Sequence, residues 1–223
     1  MTNFLTSAVP FTCLLFAAAC GGSNGGSELD SFEDRILDAQ EEAERIAAIP
    51  GTAWAQMPTR GTASFAGSAA LIIDPIEERD DDDIVVIGDA SLTANFGRGS
   101  MTGTIDNMQG ITNLTETDGD MVDVNGVINI GNDLSIIGDD FDDNLTDNPN
   151  DWLADYNGLL TIEGDRYEVE GILEGQFVGT RANPASGQSV VRGIIGFDED
   201  GYATVNGQME EVPAYLEVFG ENR

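Results

Sequence analysis

The hydrophobic pattern of the chain changes period near residue 58. Before that point, apolar residues recur three and four positions apart, which places them on one face of a helix. This face consists of Leu29, Phe32, Ile36, Ala39, Ala43 and Ile46. Ser31 and Asp34 resemble a capping box, and Pro50-Gly51 ends the pattern. We therefore expect one amphipathic helix over residues 29–49 that lies against a neighbouring wall as a stalk or plug, with a partner-binding coiled coil as the alternative.

From Gly61 onward, apolar and polar residues alternate with a period of two, which is typical of half-buried β-strands. The expected strands cover residues 61–73, 90–96, 100–107, 121–130, 135–137, 156–163, 166–179, 189–197, 203–208 and 214–219, with 135–137 as a fragment. The segment Asp198-Glu199-Asp200-Gly201 is expected to be a hairpin turn, and 79–83 a loop.

So many short antiparallel strands favour a closed meander, because closure removes exposed sheet edges. The sequence predicts an all-β fold, a small water-soluble eight-stranded antiparallel up-and-down β-barrel over residues 58–223. In the clearest strand, 166–179, one face is rich in glutamate, whereas a membrane-spanning strand would show an apolar face to lipid.

The N-terminal stretch has the pattern of an export signal. An apolar run from Phe11 leads into Ala17-Ala18-Ala19-Cys20, which resembles the lipobox of bacterial lipoproteins. The resemblance implies a lipoprotein signal peptide over residues 1–19, a lipidated Cys20 and a flexible Gly/Ser tether over 20–28. Acyl chains on Cys20 would bind the membrane without a spanning helix. We therefore expect a lipid-anchored bacterial protein that faces the cell surface or the periplasm.

Charge and missing residue types exclude many functions. The chain has 41 acidic residues and nine basic ones, all arginine, for a formal net charge of -32. Such a surface repels nucleic acid. Without His or Lys there is no Ser-His-Asp triad, no imidazole metal ligand and no P-loop lysine. We expect no enzyme activity, no catalytic residue and no organic cofactor. Of the two cysteines, Cys13 lies in the leader and Cys20 carries lipid, so no disulfide is expected.

One acidic segment has the spacing of a calcium loop. Asp140, Asp142, Asn144 and Asp151 occupy its positions one, three, five and twelve, where hard oxygen ligands are required. Position six is Leu145 instead of glycine, so a solvated acidic loop is the alternative. Trp54 and Trp152 are expected in the core or at the barrel rim, where a tryptophan suits a partner contact.

Three motifs, in this order, resemble the C-terminal barrel of the transferrin-binding protein B family, which includes factor H binding protein-like surface lipoproteins. They are Gly61-Thr62-Ala63-Ser64-Phe65-Ala66-Gly67, the run from Ala90 to Ile105 around Phe96-Gly97-Arg98-Gly99, and Gly175-Gln176-Phe177-Val178-Gly179 followed by Val191-Arg192-Gly193. The resemblance implies an outer-membrane lipoprotein with an eight-stranded barrel. It does not by itself imply any activity. We expect an interaction module whose barrel loops bind a protein or small ligand, with a structural envelope lipoprotein or a calcium-dependent adhesin as alternatives.

Overall fold

Eight antiparallel strands form a closed barrel, and each strand pairs with its neighbours in chain order until β8 pairs with β1. A computed structural model describes residues 27–74, 83–115, 118–138, 150–182 and 189–222. This architecture confirms the predicted up-and-down barrel preceded by one helix. The elements are α1 (Ser27–Ala47), a 3₁₀ helix (Trp54–Gln56), β1 (Thr62–Ile73), β2 (Ile84–Asn95), β3 (Ser100–Thr115), β4 (Asp118–Ile137), β5 (Asp151–Ile162), β6 (Asp165–Ala182), β7 (Ser189–Val205) and β8 (Glu211–Asn222).

Large apolar side chains fill the interior of the barrel, as the alternation in the strands predicts. Fully buried examples are Phe65, Met101, Trp152, Tyr156 and Phe177. The Trp152 ring occupies space left by Gly175 and Gly196, because a Cβ atom at either glycine would overlap the indole. Trp152 is therefore a core residue, whereas Trp54 in the 3₁₀ helix is 62% exposed.

The helix α1 packs on the outside of the barrel through the predicted apolar face. Its first half, with Phe32, Ile36 and Ala39, packs against β1, β2 and β3; its second half, with Ala43 and Ile46, packs against β6 and β8. The barrel residues in these contacts, which we name the covered face, are Ala70, Val85, Ile87, Ile111, Val178 and Phe219. No helix within the described residues is long and apolar enough to cross a membrane.

Several predicted elements differ from the structure, and three of them concern α1, β4 and β7. The helix begins at Ser27, so Ser31 lies inside it and is not a cap. Residues 121–130 and 135–137 belong to one strand, β4, with an irregularity between Ile130 and Ser135. The predicted strands 189–197 and 203–208 likewise form the single strand β7, which ends at Val205.

The hairpin between β7 and β8 turns at Asn206-Gly207. Both residues have positive φ, 53° and 69°. Two successive positive φ values are what a type I′ turn requires, and Asn-Gly is its strongest sequence signal. The Asn-Gly pair is thus the sequence signal of this hairpin turn. It lies eight residues after Asp198, the first residue of the turn predicted at 198–201.

Candidate functional site on the outer face of the barrel

A row of outward side chains crosses three neighbouring strands on the side of the barrel next to the covered face. The register places Glu174 of β6 opposite Phe197 of β7, and Phe197 opposite Glu217 of β8. Residues that face each other across antiparallel strands have adjacent side chains. An aromatic ring is therefore flanked by a carboxyl group on each side.

Apolar side chains around this row are unusually exposed. Phe197 is 37% exposed, Tyr215 on β8 is 39% exposed and Ile172 on β6 is 45% exposed. We name this region the open face; it consists of Ile172, Glu174, Phe197, Glu199, Tyr215 and Glu217. Single exposed apolar residues are ordinary, but a cluster edged by charge is typical of an interaction surface.

A bulge in β7 shapes the open face. The register of β7 against β8 shifts between Asp198 and Gly201, so this segment lies inside a strand and the predicted hairpin turn at 198–201 is wrong. The Asp198 carboxylate turns inward and is 8% exposed. It accepts hydrogen bonds from the backbone N–H groups of Ile172 and Asp200, each at 3.0 Å. The buried carboxylate thus ties the bulge to β6.

Two glycines make room for this inward carboxylate. A Cβ atom at Gly171 or Gly201 would overlap Asp198 and the hydroxyl of Tyr156. The Tyr156 hydroxyl is buried beside the Asp198 carboxylate. Burial, with a smaller contribution from the negative charge of Asp198, raises the pKa of Tyr156, so the phenol stays neutral.

The bulge also creates two adjoining depressions on the surface. One is a cleft of about 130 Å³, and the other is a wider, open depression of about 350 Å³. Glu199 and Asp200 line both. The smaller cleft is completed by Ile172, Glu174, Phe197 and Asp198. Its described lining residues therefore combine apolar surface with carboxylates, and none of them is basic.

Two carboxyl groups of the open face, those of Glu174 and Glu217, lie in surroundings that disfavour their ionised forms. Burial, with a further contribution from the charge of Glu199, raises the pKa of Glu217 to about 7. Burial also raises the pKa of Glu174, followed by the charges of Asp198, Asp200, Asp151 and Glu199. Among the described residues, no ion pair involves Glu174, Glu199 or Glu217. A positive charge beside Glu174 and Glu217 would favour their ionised forms and so lower both pKa values.

Carboxylates beside the covered face have basic partners instead. Arg35 of α1 donates to Asp89 of β2 at 2.8 Å. Arg45, near the end of α1, pairs with Glu221 of β8. Ser68 of β1 donates its hydroxyl proton to Glu42 of α1 at 2.7 Å. The helix thus supplies both apolar cover and counter-charge.

The predicted calcium ligands are only partly placed. Asp140, Asp142 and Asn144 lie outside the described residues. Asp151 is the first residue of β5, and its carboxylate accepts a hydrogen bond from the Gln176 side chain at 3.2 Å. Within the described part of the chain, no group of three or more acidic or cysteine side chains is arranged to hold a metal ion. Calcium binding by the 139–151 segment stays a prediction, as does lipidation of Cys20, which also lies outside the described residues.

The open face is not among the sites predicted from the sequence. Its local signal was present, since Ile195, Phe197 and Glu199 alternate outward on β7 while Ile194, Gly196 and Asp198 alternate inward. Only the cross-strand register, however, brings Glu174 and Glu217 to either side of Phe197. A pattern along one strand does not contain that information.

Comparison with known proteins identifies no relative of this chain. No family model, no curated protein and no solved structure matches this chain.

Proposed function

We propose that this protein is a lipid-anchored lipoprotein of the bacterial outer membrane whose barrel is a binding module for another molecule. The observation that carries the binding role is the open face, where Phe197, Tyr215 and Ile172 are exposed among carboxyl groups that form no ion pair with any described residue. Exposed apolar surface edged by charge is a recurrent feature of protein interaction sites.

The packed interior favours the outer surface as the place of binding. Small-ligand barrels hold their ligand in a central cavity. Here the same space contains the rings of Phe65, Trp152, Tyr156 and Phe177, each 2% exposed or less. Ligand entry would require these side chains to be displaced, and truncating one such ring typically costs about 3–5 kcal/mol.

The N-terminal sequence supports the membrane anchor. The run that ends at Ala19-Cys20 has the form of a lipobox, and the residues that follow it have the Gly/Ser composition of a linker sequence. Several acyl chains on one N-terminus bind a bilayer stably, at about 0.8 kcal/mol per buried CH₂ group. The resemblance of the barrel motifs to transferrin-binding protein B-like surface lipoproteins supports the same location.

Metabolic labelling with a palmitate analogue tests the anchor. The expected result is label on the wild-type chain and on the Cys13→Ser variant, and none on Cys20→Ser. Cys13→Ser is the matched control because the proposed cleavage removes that residue with the leader. Label that is absent from the wild type, or that persists in Cys20→Ser, would contradict the anchor.

Protease treatment of intact cells then distinguishes the two sides of the outer membrane. Loss of the barrel from intact cells would place the binding module at the cell surface. Protection in intact cells, with digestion after the outer membrane is opened, would place it in the periplasm.

A further inference from the structure

The open face repeats a pattern that the covered face already uses. Successive outward residues of β8 are Tyr215, Glu217, Phe219 and Glu221, so an aromatic residue and a glutamate occur twice in sequence. At the second pair, Phe219 lies in one buried apolar cluster with Ile46 of α1, and Arg45 pairs with Glu221. At the first pair, Tyr215 is 39% exposed, and no basic group among the described residues pairs with Glu217.

We propose that the open face docks a segment of a partner protein in which arginine or lysine side chains lie next to apolar ones. This inference rests on the proposed binding function and specifies the chemistry of the partner. The occupant would resemble the Arg45-Ile46 pair of α1, with a cation at Glu217 and Glu174 and apolar contacts with Phe197, Tyr215 and Ile172.

The spacing of the row suits such a segment. Neighbouring strands lie about 4.8 Å apart, so the backbones of Glu174 and Glu217 are about 10 Å apart with Phe197 between them. A guanidinium or ammonium group over the Phe197 ring would lie within reach of either carboxylate. It would gain both a cation–π contact and a charge-assisted hydrogen bond.

Electrostatics favour a cationic occupant over a neutral or acidic one. The whole chain carries a net charge of -32, so long-range attraction would speed the approach of a basic partner. At the surface itself, burial and like charges hold the pKa values of Glu217 and Glu174 above their usual range. A bound cation would offset this penalty, whereas an acidic segment would increase it.

The open face adjoins an apolar contact that the barrel already makes. Ile195, two residues before Phe197 on β7, packs with the cluster of Ala43, Ile46, Val178 and Phe219 under α1. Because the barrel is closed, its strands have no free edge for a partner strand. A partner must therefore dock through side chains, as α1 does.

Calorimetric titration with defined peptides tests this proposal. The probe is a short capped peptide of alternating Arg and Leu, added to the full chain in a nonionic detergent at physiological ionic strength. A peptide of alternating Arg and Ser has the same charge without the apolar contacts. We expect the Arg-Leu peptide to bind at least about tenfold more tightly than the Arg-Ser peptide, which corresponds to about 1.4 kcal/mol.

Matched variants locate the binding site. Phe197→Ser and Glu217→Gln should each weaken binding of the Arg-Leu peptide at least about fivefold, roughly 1 kcal/mol. Val127→Ser on β4 removes an apolar residue that is 41% exposed, and Glu44→Gln removes an exposed carboxylate of α1. These two controls should change the affinity less than about twofold. Melting curves of all four variants verify that each is folded.

Three results would overturn the docking site: no binding of the Arg-Leu peptide, equal binding of both peptides, or equal weakening by the control variants. The last two would show general attraction to an acidic protein. These results are separable from those on the anchor. A chain that takes lipid on Cys20 but fails the titration loses only the docking site, and one that passes the titration without lipid loses only the anchor.

Discussion

The covered face and the open face are parts of the same outer surface, and they differ in what lies over them. On the covered face, α1 buries the apolar side chains, and its arginines pair with Asp89 and Glu221. On the open face, Phe197 and Ile172 are exposed, and Glu217 has a raised pKa. The difference indicates that the covered face contributes to stability, and it is the reason for proposing the open face as the binding site.

Two phenylalanine truncations should separate these roles most strongly. Phe32 of α1 is fully buried against the barrel, whereas Phe197 is 37% exposed. Phe32→Ala is expected to lower the free energy of unfolding by about 3–5 kcal/mol, because it leaves a cavity between the helix and the barrel. Phe197→Ala should lower it by about 1 kcal/mol, since less apolar surface is lost. Urea unfolding of both variants measures the difference, and equal losses would contradict the comparison.

Two glutamates of β8 provide the next test. Replacement of Glu217 by Gln should raise the free energy of unfolding by about 1–2 kcal/mol above pH 7, less than its pKa alone implies because water partly screens this incompletely buried group. The gain should vanish below pH 4.5, where the carboxyl group is protonated in both folded and unfolded chains. Between these values, the unfolded chain ionises first, so wild-type stability falls as the pH rises.

Glu221→Gln is the matched control for that experiment. Glu221 is paired with Arg45, so its replacement should leave stability unchanged or slightly lower at neutral pH. Denaturant melts of the two variants at several pH values make the comparison. A gain in stability for Glu221→Gln as large as that for Glu217→Gln would show that relief of net charge, and not the open face, is responsible.

The smallest effect is expected at the ion pair between Arg35 and Asp89. The Asp89 side chain is 57% exposed, so Arg35→Gln should cost at most about 1 kcal/mol, and high salt should reduce the difference. Arg98→Gln, in the exposed turn between β2 and β3, serves as the control and should change stability by less than about 0.5 kcal/mol. A loss above about 2 kcal/mol for Arg35→Gln would mean that charge pairing, more than apolar cover, holds α1 in place.

The difference between strand faces covered by α1 and strand faces open to solvent also explains which strands could be predicted from the sequence. Strand β6 was predicted almost completely because one of its faces is packed and the other is wet, which yields clear alternation. The first part of β2 was missed. There Ile84, Val85, Val86 and Ile87 are all buried, since the barrel interior takes one face and α1 takes the other. A strand covered on both sides has no alternation to detect.

The candidate site was harder to predict than the fold. The bulge that turns Asp198 inward depends on the backbone N–H of Ile172, 26 residues away on another strand. The row through Glu174, Phe197 and Glu217 likewise depends on the register of three strands. Both are long-range features, whereas the periodic patterns that predicted the barrel are local.

The carboxyl pKa of Glu217, followed by carbon-13 NMR with and without the Arg-Leu peptide, tests the central claim most directly. We predict a pKa of about 7 in the free protein and a value at least about one unit lower with the peptide bound, because an adjacent cation favours the ionised carboxyl group. A pKa near 4.5 in the free protein, or a raised value that the bound peptide leaves unchanged, would contradict it.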